Sequence, residues 1–214
     1  PISVGASVLV VGGTGFIGRH LARQCAKKGA HVTVLSRTRN SLGLAEDVTV
    51  LRADLRQRDS VLRALDGRTF DFVFNLGGYI DHRTYCSGGR DVIEQHFTGL
   101  MNLIDALDRS ALRGFVQVGS SDEYGDQPAP QSELLGSAPI SPYAFAKRAC
   151  SDLIRTLACR EDFPGAVARL FLVYGPGQAT DRLLPQVIRA CRLDETFPVS
   201  PGKQTRDFCF VEDV

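Results

Sequence analysis

Tyr143 and Lys147 stand four residues apart in Ser141-Pro142-Tyr143-Ala144-Phe145-Ala146-Lys147. Ser141 is a good N-cap and Pro142 a good first helical residue, so a helix starts here and both side chains share one face. A phenol of ordinary pKa ~10 is a poor proton shuttle at neutral pH. A neighbouring ammonium and the positive end of a helix both stabilise the phenolate, which makes such a tyrosine a usable acid and base. The pair alone is common on helix surfaces, so context decides. Upstream, Val118-Gly119-Ser120-Ser121-Asp122-Glu123-Tyr124-Gly125 reads as the end of a strand, where a serine hydroxyl can hold a substrate oxygen against the phenol.

The other constellation is N-terminal. The apolar run Ser7-Val8-Leu9-Val10-Val11 enters Gly12-Gly13-Thr14-Gly15-Phe16-Ile17-Gly18, and a helical pattern follows. Gly12 lets the chain turn, Gly15 lets the backbone approach a pyrophosphate, and Gly18 allows close packing of helix on strand. Free N–H groups at the helix start face the anion. A dinucleotide is the ligand this device is expected to take; a purely structural βα turn is the other reading. About 20 residues further on, an acid usually binds the ribose 2′-hydroxyl of NAD. Here Leu35-Ser36-Arg37-Thr38-Arg39 offers none. A guanidinium suits a 2′-phosphate, which favours NADP over NAD; otherwise Arg37 and Arg39 are solvated loop charges and either coenzyme serves. Asp54 either accepts a hydrogen bond from the adenine amino group or caps the following helix.

These groups need a frame. Apolar patterning predicts strands at 6–11, 31–35, 48–51, 70–76, 115–118 and 166–173, with helices at 17–28, 60–65, 90–108 and 143–159. The alternation implies an α/β fold, a doubly wound parallel sheet with helices on both faces, whose ligands gather at the carboxyl ends of the strands. Composition is that of an ordinary globular chain, 43% hydrophobic and 23% charged over 214 residues. A net charge of +1 gives no footprint for nucleic acid. No apolar run approaches the ~20 residues of a membrane span, and no signal-peptide pattern is present. Six scattered cysteines without metal-ligand spacing read as reduced, mostly buried residues of a cytoplasmic protein, with no metal site.

Together the segments resemble the extended short-chain dehydrogenase/reductases, the NAD-dependent epimerases, dehydratases and 4-ketoreductases of nucleotide sugars. The likeness rests on the glycine turn at 12–18, Asn75-Leu76-Gly77-Gly78, Tyr143 with Lys147, Tyr174-Gly175-Pro176, and the closing Arg206-Asp207-Phe208-Cys209-Phe210-Val211-Glu212-Asp213-Val214. It covers essentially the whole chain. It implies a Rossmann domain over 1–175 and the start of a small substrate domain over 176–214, with 206–214 returning to the core. Relatives continue past the segment in which this chain stops, so the substrate domain is expected to be truncated. By resemblance, Tyr143 is the acid and base, Lys147 binds the nicotinamide ribose, and Ser120 is the catalytic hydroxyl, with Ser121 as fallback. The dinucleotide is expected along Gly12, Gly15, Phe16, Ile17, Gly18, Arg37, Asp54, Leu55, Leu76, Gly77 and Lys147, and the sugar nucleotide against Tyr79, Ser121, Asp122 and Arg206.

Departures from the family pattern narrow the activity. The 4,6-dehydratases carry Thr-Asp-Glu-Val-Tyr-Gly, one residue longer than the segment here, so Asp122 and Glu123 read as polar loop residues. The segment is similar to that of reductases of 4-keto-6-deoxy sugar nucleotides. Hydride transfer at sugar C4 is therefore expected, by a 4-ketoreductase ahead of a 4-epimerase, with a 4,6-dehydratase as alternative. His96 stands where relatives have Asn, and reads as a packed helix histidine ahead of a member of a water relay from Lys147. Leu172 replaces a frequent substrate-binding Asn. Arg206 is either a diphosphate ligand or half of a salt bridge. A non-catalytic NADP-binding sensor or scaffold is the reading of another class, and Ser120, Tyr143 and Lys147 together argue against it. Relatives often form homodimers by pairing the helices placed here at 90–108 and 143–159, although a buried face explains their apolarity equally well.

Overall fold

The computed structural model describes residues 2–38, 44, 47–136 and 138–214. The chain divides into two units, the first ending at Leu170 and the second running from Phe171 to Val214.

Six strands build the first unit: β1 (Ser7–Val11), β2 (His31–Ser36), β3 (Thr49–Arg52), β4 (Phe72–Asn75), β5 (Gly114–Ser120) and β6 (Gly165–Leu170). All pair in parallel, in the order β3-β2-β1-β4-β5-β6. This is the doubly wound, Rossmann-type arrangement. β1 is apolar on both faces because both are covered. Leu9 and Val11 join one core with Leu35, Leu100, Phe115 and Ile154, while Val8 and Val10 join the other with Ala22, Val32 and Val34. The alternation follows from the two-residue period of a strand. The chain winds outward from β1 to β3 and then returns to pair β4 with β1. Connections leaving β1 and β4 therefore diverge and open a crevice at their carboxyl ends.

Around the sheet run α1 (Phe16–Lys27), α2 (Arg58–Leu65), α3 (Gly89–Ile93), α4 (Gly99–Ala106) and α5 (Pro142–Arg160). The expected single helix over 90–108 is interrupted: a π turn at Glu94–Thr98 joins α3 to α4. Gly99 lets the helix lie against Leu55, whose Cβ occupies the space a side chain there would need. The helix ends at Ala106, where Leu107 adopts extended backbone. α5 begins where its capping residues place it, with the Ser141 hydroxyl accepting the Ala144 N–H at 3.1 Å and Pro142 in the first turn.

One predicted strand divides in two. The apolar run over 166–173 breaks at Phe171, so β6 closes the large sheet and β7 (Leu172–Tyr174) pairs in parallel with β8 (Phe208–Phe210) in the second unit. That unit also contains α6 (Leu183–Leu193). Gly175, at φ +151°, turns the chain after β7, and Val211 packs where its Cβ would stand. The Tyr174 carbonyl accepts the Val211 N–H at 2.8 Å. The expectation of mostly buried cysteines is corrected: Cys25 and Cys150 are buried, whereas Cys86, Cys159 and Cys191 are exposed.

Candidate active site

The glycine turn sits at the carboxyl end of β1. Gly12 has φ +76°, a conformation strained for other residues. Its N–H donates to the Leu35 carbonyl at 2.8 Å, and its carbonyl accepts the Gly15 N–H at 2.9 Å. A side chain on Gly18 would collide with the Gly12 carbonyl and the Gly13 backbone. Gly15 is the exposed N-cap of α1, followed by Phe16 and Ile17 at half-buried positions. No acid occupies the first turn. The first amides of the helix have no partner within it, so the terminus is suited to an anion. The Thr14 and Ser36 hydroxyls lie 2.9 Å apart and tie the turn to the end of β2.

Arg37 follows β2 directly and is exposed, with its carbonyl accepting from Arg52 Nε at 3.2 Å. Arg39 lies outside the described residues. Asp54 does not cap α2, since Gln57 holds that position. Its carboxylate instead accepts the Arg56 N–H at 3.0 Å and pairs with the Arg56 guanidinium at 2.8 Å. That guanidinium holds the Asp54 carboxyl below the usual carboxylate range. Leu55 is buried and its carbonyl accepts Asn102 Nδ2 at 2.7 Å. Leu76 follows β4, and the buried Gly77 donates its N–H to Asn75 Oδ1 at 3.1 Å.

α5 brings Tyr143 and Lys147 to the ends of β4 and β5. Lys147 is buried, and its ammonium donates to the Val118 carbonyl at 3.0 Å. Its Nζ lies 5.9 Å from the centre of the Tyr143 ring. Burial lowers the Lys147 pKa, opposed by Cys150 and Glu123. The Cys150 thiol, itself pushed up to about 12 by burial, donates to the His96 carbonyl at 3.4 Å. His96 lies on the π turn, edge-on to Tyr143 at 5.4 Å, with Nε2 2.9 Å from the Tyr79 carbonyl. Burial, helped by the Lys147 charge, lowers its pKa to about 3. The ring is therefore neutral near pH 7, and Nε2 carries the proton because it faces a carbonyl. Gly78, at φ +128°, leaves the space this imidazole fills. His96 is thus packed, as expected, and it also lines the site.

Ser120 ends β5 in extended backbone. Its hydroxyl accepts the Asp122 N–H at 3.2 Å, and its own N–H donates to Glu123 Oε1 at 2.9 Å. Ser121 opens the 3₁₀ turn Ser121–Tyr124 that follows. Glu123 corrects the sequence reading. It is no solvated loop residue but is 1% exposed, and Oε2 accepts Arg169 Nε at 2.8 Å. Arg169 pairs in register with Gly119, and its guanidinium lies 5.0 Å from the Tyr124 ring centre. Asp122 is half-buried and faces His82, with Nδ1 3.6 Å from Oδ2. The His82 ring stands edge-on to Tyr143 at 5.5 Å. Sequence reasoning missed His82 and Arg169. The available signals were the position of His82 in the connection leaving β4 and that of Arg169 near the end of β6. In the second unit, Leu172 is exposed on β7 and Arg206 donates to Gln204 Oε1 at 2.7 Å.

A glycine turn, a buried lysine beside a tyrosine and a serine closing the neighbouring strand are therefore all carried on the carboxyl edge of one parallel sheet. The family model of the NAD dependent epimerase/dehydratase family matches residues 8–214. The chain belongs to that family. It is 29% identical to the UDP-N-acetyl-alpha-D-glucosaminuronate decarboxylase of Bacillus cytotoxicus, over 96% of this chain and 67% of that protein. Among solved structures it is similar to the UDP-glucuronic acid 4-epimerase of Bacillus cereus in complex with UDP-glucuronic acid and NAD. The identity is 26%, the TM-score 0.82, and the match covers 96% of this chain and 69% of that one. It is also similar to MoeE5 in complex with UDP-glucose and NAD, with 30% identity, a TM-score of 0.80 and 97% and 68% of the chains covered. The chain spans about two thirds of the length of the curated relatives it matches. Among the described residues no helix is long and apolar enough to cross a membrane, and no group of three His, Cys, Asp or Glu side chains is placed to hold a metal ion.

Proposed function

We propose that the protein binds a nicotinamide dinucleotide and moves a hydride at C4 of a nucleotide-activated sugar, as a 4-ketoreductase or 4-epimerase. The observation that carries the reading is the buried Lys147 ammonium beside Tyr143, at the strand ends where the crevice opens. The acid-free start of α1 and the Cβ-less cradle of Gly12, Gly15 and Gly18 fit a pyrophosphate. Phe16, Ile17, Asp54, Leu55, Leu76 and Gly77 continue the dinucleotide track, and Lys147 reaches its ribose. When bound, the coenzyme supplies a carbon that accepts and returns hydride. Tyr143 takes the hydroxyl proton of the sugar and gives it back, while Lys147 holds the tyrosinate by charge. Ser120 orients the reacting oxygen, with Ser121, Asp122 and Tyr79 around the sugar. Arg206, on the second unit, is offered to the diphosphate, whose charge suits a guanidinium.

Arg37, in a segment over 35–39 that carries no acid of its own, supports NADP as the preferred coenzyme, although Asp54 lies near enough to feel its charge; NAD is the second reading, favoured by the solved relatives that hold it. Against a 4,6-dehydratase weighs Glu123, whose two oxygens are taken by Ser120 and Arg169. Exposed Met101 and Phe145 support a homodimer through the helices over 90–108 and 143–159, and six free cysteines support a cytoplasmic setting. Incubation of the protein with UDP-glucose or UDP-glucuronic acid, and with NAD, NADP or NADPH, tests the activity. Stoichiometric oxidation of NADPH on a 4-keto sugar marks a reductase, whereas coenzyme recovered unchanged after turnover marks an epimerase. Activity surviving Tyr143→Phe in full would leave a binding protein as the better description.

A further inference from the structure

We propose that His82 and Asp122 form a second acid–base pair, which exchanges the hydrogen on a sugar carbon next to the one oxidised. The inference rests on the coenzyme reading above and assigns a new role within the same site. His82 lies in the connection leaving β4, and Asp122 in the turn leaving β5, the strand beside it. The two connections bring Nδ1 of His82 to 3.6 Å from Oδ2 of Asp122 and set the imidazole edge-on to Tyr143. Their side chains are 58% and 37% exposed, so an incoming molecule can reach both. The Asp122 N–H donates to the Ser120 hydroxyl at 3.2 Å, which anchors the backbone that carries the carboxylate.

The charges around the pair are already committed. Arg83 is held by Asp81, Glu123 by Arg169, and Lys147 by the Val118 carbonyl. Asp122 is the carboxylate that meets His82 among the described ion pairs. A carboxylate facing Nδ1 favours the tautomer with its proton there, which leaves Nε2 with a lone pair, and an imidazole so oriented can act as a general base.

The chemistry follows from the first oxidation. Once the carbon bearing the hydroxyl becomes a carbonyl, the C–H bonds on its neighbours are acidified. Nε2 of His82 takes one such proton, the C–H pair becomes the new C=C bond, and the carbonyl pair moves to oxygen. The Tyr143 hydroxyl, which gained a proton in the oxidation, gives it to that oxygen. Reversal returns a solvent-derived hydrogen to carbon, and no further oxidant is required.

Incubation in D₂O with UDP-glucose or UDP-glucuronic acid and either coenzyme, followed by mass spectrometry of the recovered sugar nucleotide, tests the pair. Deuterium is expected on a carbon adjacent to the oxidised one. His82→Gln should lower that exchange ~100-fold while slowing formation of reduced nicotinamide less than ~tenfold, and Asp122→Asn should fall between. Reduced nicotinamide without deuterium, or equal exchange in His82→Gln, would overturn the proposal and leave the coenzyme reading standing. No epimer and no reduced nicotinamide with either sugar, together with no oxidation of NADPH on a 4-keto sugar nucleotide, count against the coenzyme reading, and nitrogen-15 shifts of the histidine rings then decide the pair. Loss of the Nδ1 proton preference of His82 in Asp122→Asn supports it; unchanged shifts overturn it.

Discussion

Acid should destabilise this protein partly through one imidazole. His96 is 4% exposed, and burial lowers its pKa from the ordinary 6.5 to about 3. Native His96 therefore refuses a proton that the unfolded chain accepts across that interval. Stability rises with pH wherever the unfolded state binds more protons. The contribution of this group is complete above the unfolded value of 6.5 and is lost as pH falls toward about 3. Between pH 7 and pH 5 the unfolded imidazole gains most of one proton, which removes about 2 kcal/mol of native stability. Over the full interval the loss is on the order of 5 kcal/mol. His96→Asn keeps a polar side chain at the π turn and removes the titration. Urea unfolding of both proteins at several pH values between 7 and 5 cancels whatever the substitution costs at every pH, because only the difference in slope is read. The wild type should lose about 2 kcal/mol more than the variant over that range. Parallel stability curves would refute the claim that His96 is held neutral by burial.

Tyr143→Phe keeps the buried ring against His96 and His82 while removing the hydroxyl; turnover should drop at least ~100-fold, with the melting temperature and coenzyme affinity near those of the wild type. Glu123→Ala strands the Arg169 guanidinium, which is only 10% exposed, and should cost about 3–5 kcal/mol in chemical denaturation. A cost under about 1 kcal/mol would contradict the burial of that pair. Arg37→Ala should weaken NADP by ~10- to 150-fold in calorimetric titration and leave NAD nearly unchanged, since one charge-assisted contact is worth about 1.5–3 kcal/mol. Equal losses for both coenzymes would remove the case for the phosphorylated form.

Features decided within a short stretch of chain were legible in the sequence, and those decided between distant stretches were not. β1, the glycine turn and the start of α1 follow one another directly, and Ser141 with Pro142 announces α5 locally. The break at Phe171 left no local trace, because the chain is apolar from Leu170 to Val173 and only the pairing of β7 with β8 divides it. The π turn around His96 was equally hidden, since a single wide turn does not disturb an apolar stripe visibly. Glu123 looked like a loop residue because its partner lies 46 residues away on another strand. His82 is a lone histidine among polar neighbours, and only the fold brings it against Asp122 and Tyr143. Asp54 is an exception: of the adenine contact and the helix cap left open in the sequence, the cap falls to Gln57, and the local Arg56 pair was not foreseen.

The central claim is that a nicotinamide dinucleotide lies on the glycine turn at the start of α1. Calorimetric titration of NAD and NADP into the wild type and Gly15→Glu measures it directly. Gly15 is exposed and extended, but a Cβ there would stand 3.2 Å from the Gly12 carbonyl, so circular dichroism and melting of the variant accompany the titration, which reads the carboxylate set where the pyrophosphate binds. Saturable binding of at least one coenzyme, weakened tenfold or more in the variant, is the predicted result. Absence of binding by either coenzyme at millimolar concentration, or equal affinity in the two proteins, would contradict it.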